Sequence, residues 1–216
     1  MKKLDRLLDK GLEQLTAMVY KMGEVAEKVL SISLTGYVRG RDTTESTREL
    51  SQILDAMTKE VEDKAFSLIA KYQPVATDLR IINSYMKIAY DFERCGRYSW
   101  DIAYISKTMG GLKDCSSWMP DYIENMSNMV LNMLGISVSA LKRLDTALAK
   151  SISPTEQEVD KLYFQYLTKL VQEAQTTNLC TVSSVLVIRY LERIGDHATY
   201  VSEAVVYIAT GEKIRL

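Results

Sequence analysis

Glu192 and Asp196 lie four residues apart in Tyr190-Leu191-Glu192-Arg193-Ile194-Gly195-Asp196-His197. That spacing places both carboxylates on one face of a helix, one turn apart, with Cβ atoms about 5–6 Å from each other. Like charges so placed repel. A hard cation would relieve the repulsion, because paired carboxylates supply the oxygen donors that magnesium, calcium, manganese or iron takes. Glu203 returns to nearly the same face further along. Spacing alone leaves a second reading open, a solvated acidic face with no ion. Other metal chemistries fit poorly: His197 is the only histidine, whereas a ferritin-like di-iron centre needs two Glu-x-x-His motifs and catalytic zinc usually draws on two or more histidines. His197 itself reads as a surface or packing residue without a role. No GxxxxGKS, GxGxxG or GxSxG motif is present, and the expectation is a protein that is not an enzyme.

The Glu-Arg-x-Gly core of this segment occurs twice, the first copy being Asp91-Phe92-Glu93-Arg94-Cys95-Gly96-Arg97. A glycine costs about 1 kcal/mol inside a helix, so two mid-helix copies point to a duplicated unit. Glu93 corresponds to Glu192, Asp55 to Asp160, and Met22-Gly23 to Met133-Leu134, at offsets of 99, 105 and 111 residues. Loops that shorten between helices of preserved length give such a series. Apolar residues recur every three or four positions, as in Leu12, Leu15, Val19, Met22, Ala26, Val29 and Ile32, and strand-like alternation is absent. Six helices are predicted, at about 3–37, 44–72, 76–109, 120–151, 154–177 and 180–210. Pro74 separates two of them, while Pro120 and Pro154 each open one. The fold class is therefore all-α: two tandem antiparallel three-helix bundles, at 1–109 and 120–216, joined by a Gly/Ser-rich linker at 110–119. Gly96 and Gly195 are expected to admit a close neighbouring helix.

A formal net charge of -1 gives no basis for a nucleic-acid partner. The longest apolar run, Ala204 to Ala209, falls far short of the roughly 20 residues that cross a bilayer. The first ten residues start like a signal peptide but set acids and bases where an apolar core belongs. Cys95, Cys115 and Cys180 are odd in number, widely spaced and without a CxxC pair, so neither a disulfide framework nor a zinc finger is indicated. A reducing, cytoplasmic location is expected.

Gln73-Pro74-Val75-Ala76-Thr77-Asp78-Leu79-Arg80, the Glu-Arg-x-Gly helix that follows, and the second copy ending in Val206-Tyr207-Ile208-Ala209-Thr210-Gly211-Glu212 together resemble the PhoU family over almost the whole chain. The resemblance implies a cytoplasmic regulator that acts negatively on a phosphate ABC transporter and, in many bacteria, on a phosphate-sensing histidine kinase. It also implies metal binding at E(D)xxxD motifs, with iron, manganese, magnesium or zinc as candidate ions. On this chain the motif falls on Glu192 and Asp196, with Asp160 as the partner from the preceding helix. The first copy departs from the pattern: Asp55 and Glu93 are kept, but Arg97 holds the second motif position and Lys59 follows Asp55 by one turn. An Arg97–Glu93 salt bridge is expected there in place of a metal. Two alternatives stay open, a metal-binding or metal-buffering helical protein and a soluble regulatory subunit of another ion transporter. Tyrosine and methionine stripes on the long helices favour a homodimer.

Overall fold

In the computed structural model, which describes residues 2–112, 115–173 and 178–216, the apolar stripe of the first segment is continuous. Leu15, Val19, Met22, Ala26, Val29 and Leu30 are all fully buried along one face of α1 (Lys2–Arg39), as the helical period requires. Five further long helices follow: α2 (Thr44–Tyr72), α3 (Ala76–Met109), α4 (Trp118–Arg143), α6 (Ser153–Glu173) and α7 (Leu179–Thr210). A single turn, α5 (Thr146–Lys150), interrupts the series between α4 and α6. Among the described residues there is no strand. The chain is all-α, as the periodicity predicts. The predicted end of the fifth long helix, at 177, and Lys113-Asp114 of the linker lie outside the described residues.

Local chemistry explains the boundaries. Gln73 adopts the left-handed conformation (φ 48°) and its N–H bonds the Ile69 carbonyl, which closes α2 just before Pro74. The predicted single helix over 120–151 is corrected: Leu144, at φ 50°, ends α4. The Asp145 N–H bonds the Ala140 carbonyl and the Leu144 N–H the Leu141 carbonyl, a Schellman closure made without glycine. The Asp145 side chain then accepts from the N–H groups of Ala147 and Leu148 and caps α5. Asn178 caps α7 in the same manner through the Thr181 N–H, at 2.8 Å.

The two helical triplets share one core rather than standing apart. α3 packs along α7, α1 bears on both α3 and α4, and α4 lies against α7; α2 packs against α1 and α3, and α6 against α4 and α7. Polar links reinforce the seam. Buried Tyr37 (α1) and Ser183 (α7) share a hydrogen bond of 2.9 Å, and Arg80 (α3) donates to the Ile208 carbonyl (α7) at 3.3 Å while lying over the Tyr207 ring. Arg80 of the Gln-Pro segment thus ties the start of α3 to the end of α7.

The paired glycines differ. A Cβ at Gly96 would lie 2.4 Å from the Leu54 Cδ1, and Leu54 is fully buried; at Gly195 the nearest atoms, from Met133 and Val159, stand at an ordinary 3.6 Å. Close helix approach explains Gly96, and the same expectation for Gly195 is corrected. Gly96→Ala should lower unfolding free energy by about 1–2 kcal/mol, overpacking exceeding the gain in helix propensity. Gly195→Ala should raise it by up to about 1 kcal/mol. Urea unfolding of both variants checks the contrast; equal effects would remove the packing explanation.

Candidate functional site: a carboxylate cluster in the second triplet

The helices that hold the predicted ligands are adjacent: α6 carries Asp160 and α7 carries Glu192 and Asp196. Asp160 and Asp196 do converge. Their third partner is Glu156 of α6, with one ligand oxygen from each of the three lying within 4.8 Å of the others. Glu156 was missed, although it precedes Asp160 by the same four residues that separate Glu192 from Asp196. Glu192 takes a different position from that expected. Its Oε1 accepts from Arg189 at 2.6 Å, while its Oε2 is buried without a hydrogen-bond partner. Arg193 approaches Asp196 at 3.4 Å and Glu192 at 3.9 Å.

Burial and mutual repulsion govern the electrostatics. The carboxyl of Glu156 is pushed up first by burial and then by Asp160, Asp196 and Glu203. That of Asp196 is raised by burial and by Asp160, against the lowering influence of Arg193. Glu192 is raised by burial and by Asp196, with Arg189 opposing. Such acids gain from a cation. A recess of about 420 Å³ beside them is lined by Glu156, Asp196, Thr199, Glu203 and the C-terminal Arg215 and Leu216, and the Leu216 N–H donates to Glu203 at 3.0 Å. All-oxygen donors suit a hard ion rather than a thiophilic one. The three converging acids fit the implied cation, while Glu192 stands beside them in ion pairs with Arg189 and Arg193.

The corresponding place in the first triplet is built differently. At the same offsets Ser51 stands for Glu156, Asp55 for Asp160, Glu93 for Glu192 and Arg97 for Asp196. Ser51, Asp55, Glu93 and Arg97 line one recess of about 380 Å³ with Arg48 and Trp100. Lys59 pairs with Asp55 at 2.6 Å. The expected Arg97–Glu93 salt bridge is corrected: Arg97 turns the other way, its Nε 3.6 Å from Asp101 and its guanidinium 5.0 Å from the Trp100 ring centre. The Trp100 face and the Asp101 carboxylate together offer a cation–π contact and an ion pair that Glu93 alone does not.

His197 has a partner that the sequence did not indicate. It is buried on α7, and its Nδ1 lies 2.8 Å from the Oδ1 of buried Asp91 on α3. Tyr90, Tyr98 and Tyr200 pack around the ring. Of the two readings, surface or packing, the structure shows packing, and the residue joins the triplets.

The sequence model of the PhoU domain matches this chain twice, at residues 19–106 and 123–205. The chain belongs to the PhoU family. Its duplication is therefore a duplication of the PhoU domain, and the two matches include the acidic residues of both recesses. A PhoU homolog of Clostridium acetobutylicum, described as a phosphate-specific transport system accessory protein, is 32% identical over 216 residues, 98% of each chain. One from Caulobacter vibrioides with the same description is 32% identical over 209 residues, 94% of this chain and 90% of that one. The crystal structure of PhoU from Pseudomonas aeruginosa superposes with a TM-score of 0.86 at 24% identity, covering 94% of this chain and 99% of the other. That of the phosphate transport system regulatory protein PhoU from Streptococcus pneumoniae gives 0.86 at 22% identity, covering 97% and 100%. These likenesses establish the six-helix fold.

Proposed function

We propose that the chain is an accessory protein of a phosphate-specific transport system, restraining phosphate uptake through protein–protein contacts rather than by catalysis. The observation that carries this reading is similarity over nearly the full length to proteins described as accessories of phosphate-specific transport. Two features support it. No described helix is long and apolar enough to cross a membrane, so association with a transporter would run through the protein's surface. Large apolar side chains are exposed on the outer helices, Ile53 and Phe66 on α2 and Phe164 and Val171 on α6, which suits contacts with partners. The partners in this reading are the phosphate ABC transporter and a phosphate-sensing histidine kinase, and the protein works in the cytoplasm as a homodimer. Its units are 1–109 and 120–216, joined by the linker 110–119. A hard cation, held by Glu156, Asp160 and Asp196 with Glu192 adjoining, would neutralise the cluster and fix α6 to α7.

Deleting the gene should raise phosphate uptake in phosphate-rich medium, measured with labelled phosphate, and tagged protein from phosphate-replete cells should recover transporter subunits. Unchanged uptake together with unchanged phosphate-responsive transcription would defeat the proposal. A second reading, a metal-binding protein without a part in phosphate control, is favoured by the carboxylate cluster alone. Stoichiometric manganese or iron in a protein that recovers no transporter subunit would select it.

A further inference from the structure

Cys115 and Cys180 are joined by a disulfide, their Cα atoms 5.5 Å apart and 65 residues separating them in sequence. The expectation of no disulfide is corrected: the fold brings the inter-repeat linker over the first turn of α7, which spacing could not reveal. We propose that this pair is a reversible thiol–disulfide exchange site that pins the linker to α7 when oxidised and releases it when reduced.

Three observations support exchange rather than a permanent bond. Cys115 is half-buried at the edge of the core, so it is the member of the pair nearer to solvent. Cys180 is buried in the first turn of α7, where the positive end of the helix dipole favours a thiolate. It also lines a recess of about 1020 Å³ shared with Arg39, Arg41, Asp42 and Lys107, and basic side chains favour the thiolate further. The third cysteine, Cys95, is fully buried and its thiol is pushed up by that burial. It takes no part. Exposed disulfides are the labile ones, and a sulfur with a well-stabilised thiolate leaves readily.

The co-reactant is a low-molecular-weight disulfide such as oxidised glutathione. The Cys115 thiolate attacks one of its sulfurs, forming a mixed disulfide and expelling one glutathione thiolate. The Cys180 thiolate then attacks the Cys115 sulfur and expels the second. The pair loses two electrons and two protons, and one oxidised glutathione becomes two reduced. In reverse, an incoming thiolate attacks half-buried Cys115 and Cys180 departs to its place at the helix start. The latch acts beside a second tie, since Ser183 of α7 donates to the Gly110 carbonyl at 3.2 Å. Release therefore frees Cys115 from Cys180, which lines the recess.

The full chain, equilibrated in buffers of varied reduced-to-oxidised glutathione ratio, denatured and labelled with a maleimide, should pass from three labelled cysteines to one in the mass spectrum. The transition should lie within the glutathione range, and the reduced protein should melt roughly 10 °C lower. Cys115→Ser and Cys180→Ser should each abolish the redox dependence of melting, and Cys95→Ser should retain it. Three labels throughout would overturn the proposal because the pair does not form. One label even under a hundredfold excess of reduced glutathione would overturn it equally, because the bond would then be a permanent staple.

Discussion

His197→Ala should lower the unfolding free energy at neutral pH by about 3 kcal/mol, the upper end of the cost of leaving a buried hydrogen-bonding group without its partner. Asp91 is left behind as a buried carboxylate, on the surface where α3 packs along α7. Its carboxyl is already raised by burial, with the His197 hydrogen bond and charge and the nearby Lys87 holding it down. Removing the imidazole takes away the larger of those restraints. A carboxyl raised in the folded state contributes stability below its ordinary value and loses it as pH rises through the raised one. The deficit of the variant should therefore be largest at pH 7 and shrink on acidification, as Asp91 takes up a proton. Asp91→Asn combined with His197→Ala should recover part of the loss, since the remaining amide carries no charge. Urea unfolding at pH 7 and pH 5 measures all of this. A loss within about 0.5 kcal/mol and independent of pH would show that the pair contributes nothing to holding the triplets together.

This pair marks where sequence reasoning stops. Helix positions were legible because each long helix buries a periodic stripe, and periodicity is a local signal. Duplication was legible because both copies keep a glycine in a helix. The contact between Asp91 and His197 joins residues 106 apart, and no local pattern announces it: in the other copy the corresponding residues are Tyr190 and Tyr98. Those two tyrosines stack on each other with ring centres 5.5 Å apart. The same surface is thus filled twice by different chemistry, stacked aromatics in one place and a carboxylate–imidazole hydrogen bond in the other.

The break at Leu144 was hidden for a different reason. Left-handed helix ends usually advertise themselves through glycine or asparagine, and here a leucine takes the conformation. The cap that restarts the chain, Asp145, was a readable sign. In the carboxylate cluster, too, part of the signal was present: Glu156 and Asp160 repeat the four-residue spacing of Glu192 and Asp196. What spacing could not give was the choice among them, because that depends on which arginine each acid meets. Arg189 draws Glu192 aside, and only then does Glu156 become the third partner.

That choice yields the last expected result. Titrated with manganese after removal of bound ions, the wild type should bind in the second triplet, and Asp160→Asn or Asp196→Asn should weaken binding by more than the tenfold to hundredfold loss typical of groups that merely support a ligand. Glu156→Gln should do the same, which separates the observed trio from one built on Glu192. Glu93→Gln should leave affinity unchanged, because Asp55 is engaged by Lys59 and Arg97 occupies the recess. Protons compete with the cation for carboxylates raised by burial and by one another. Binding should therefore fall between pH 7 and pH 5, at higher pH than for ordinary surface acids. The linked effect on stability has the same sign. In the ion-free protein these raised carboxyls lose stability as pH rises through their folded-state range, and a bound cation removes that loss. Manganese should thus raise the melting temperature more at pH 7 than at pH 5. Equal weakening by Glu93→Gln and Asp196→Asn would end the asymmetry between the two PhoU domains, and no binding at all in the wild type would end the cation site. Replacing Arg97 by Asp, Lys59 by Asn and Ser51 by Glu together rebuilds the second-triplet charge pattern in the first, and it should add a second equivalent of bound manganese. A stoichiometry that stays at one would mean that the helix spacing, and not only the side chains, differs between the two copies.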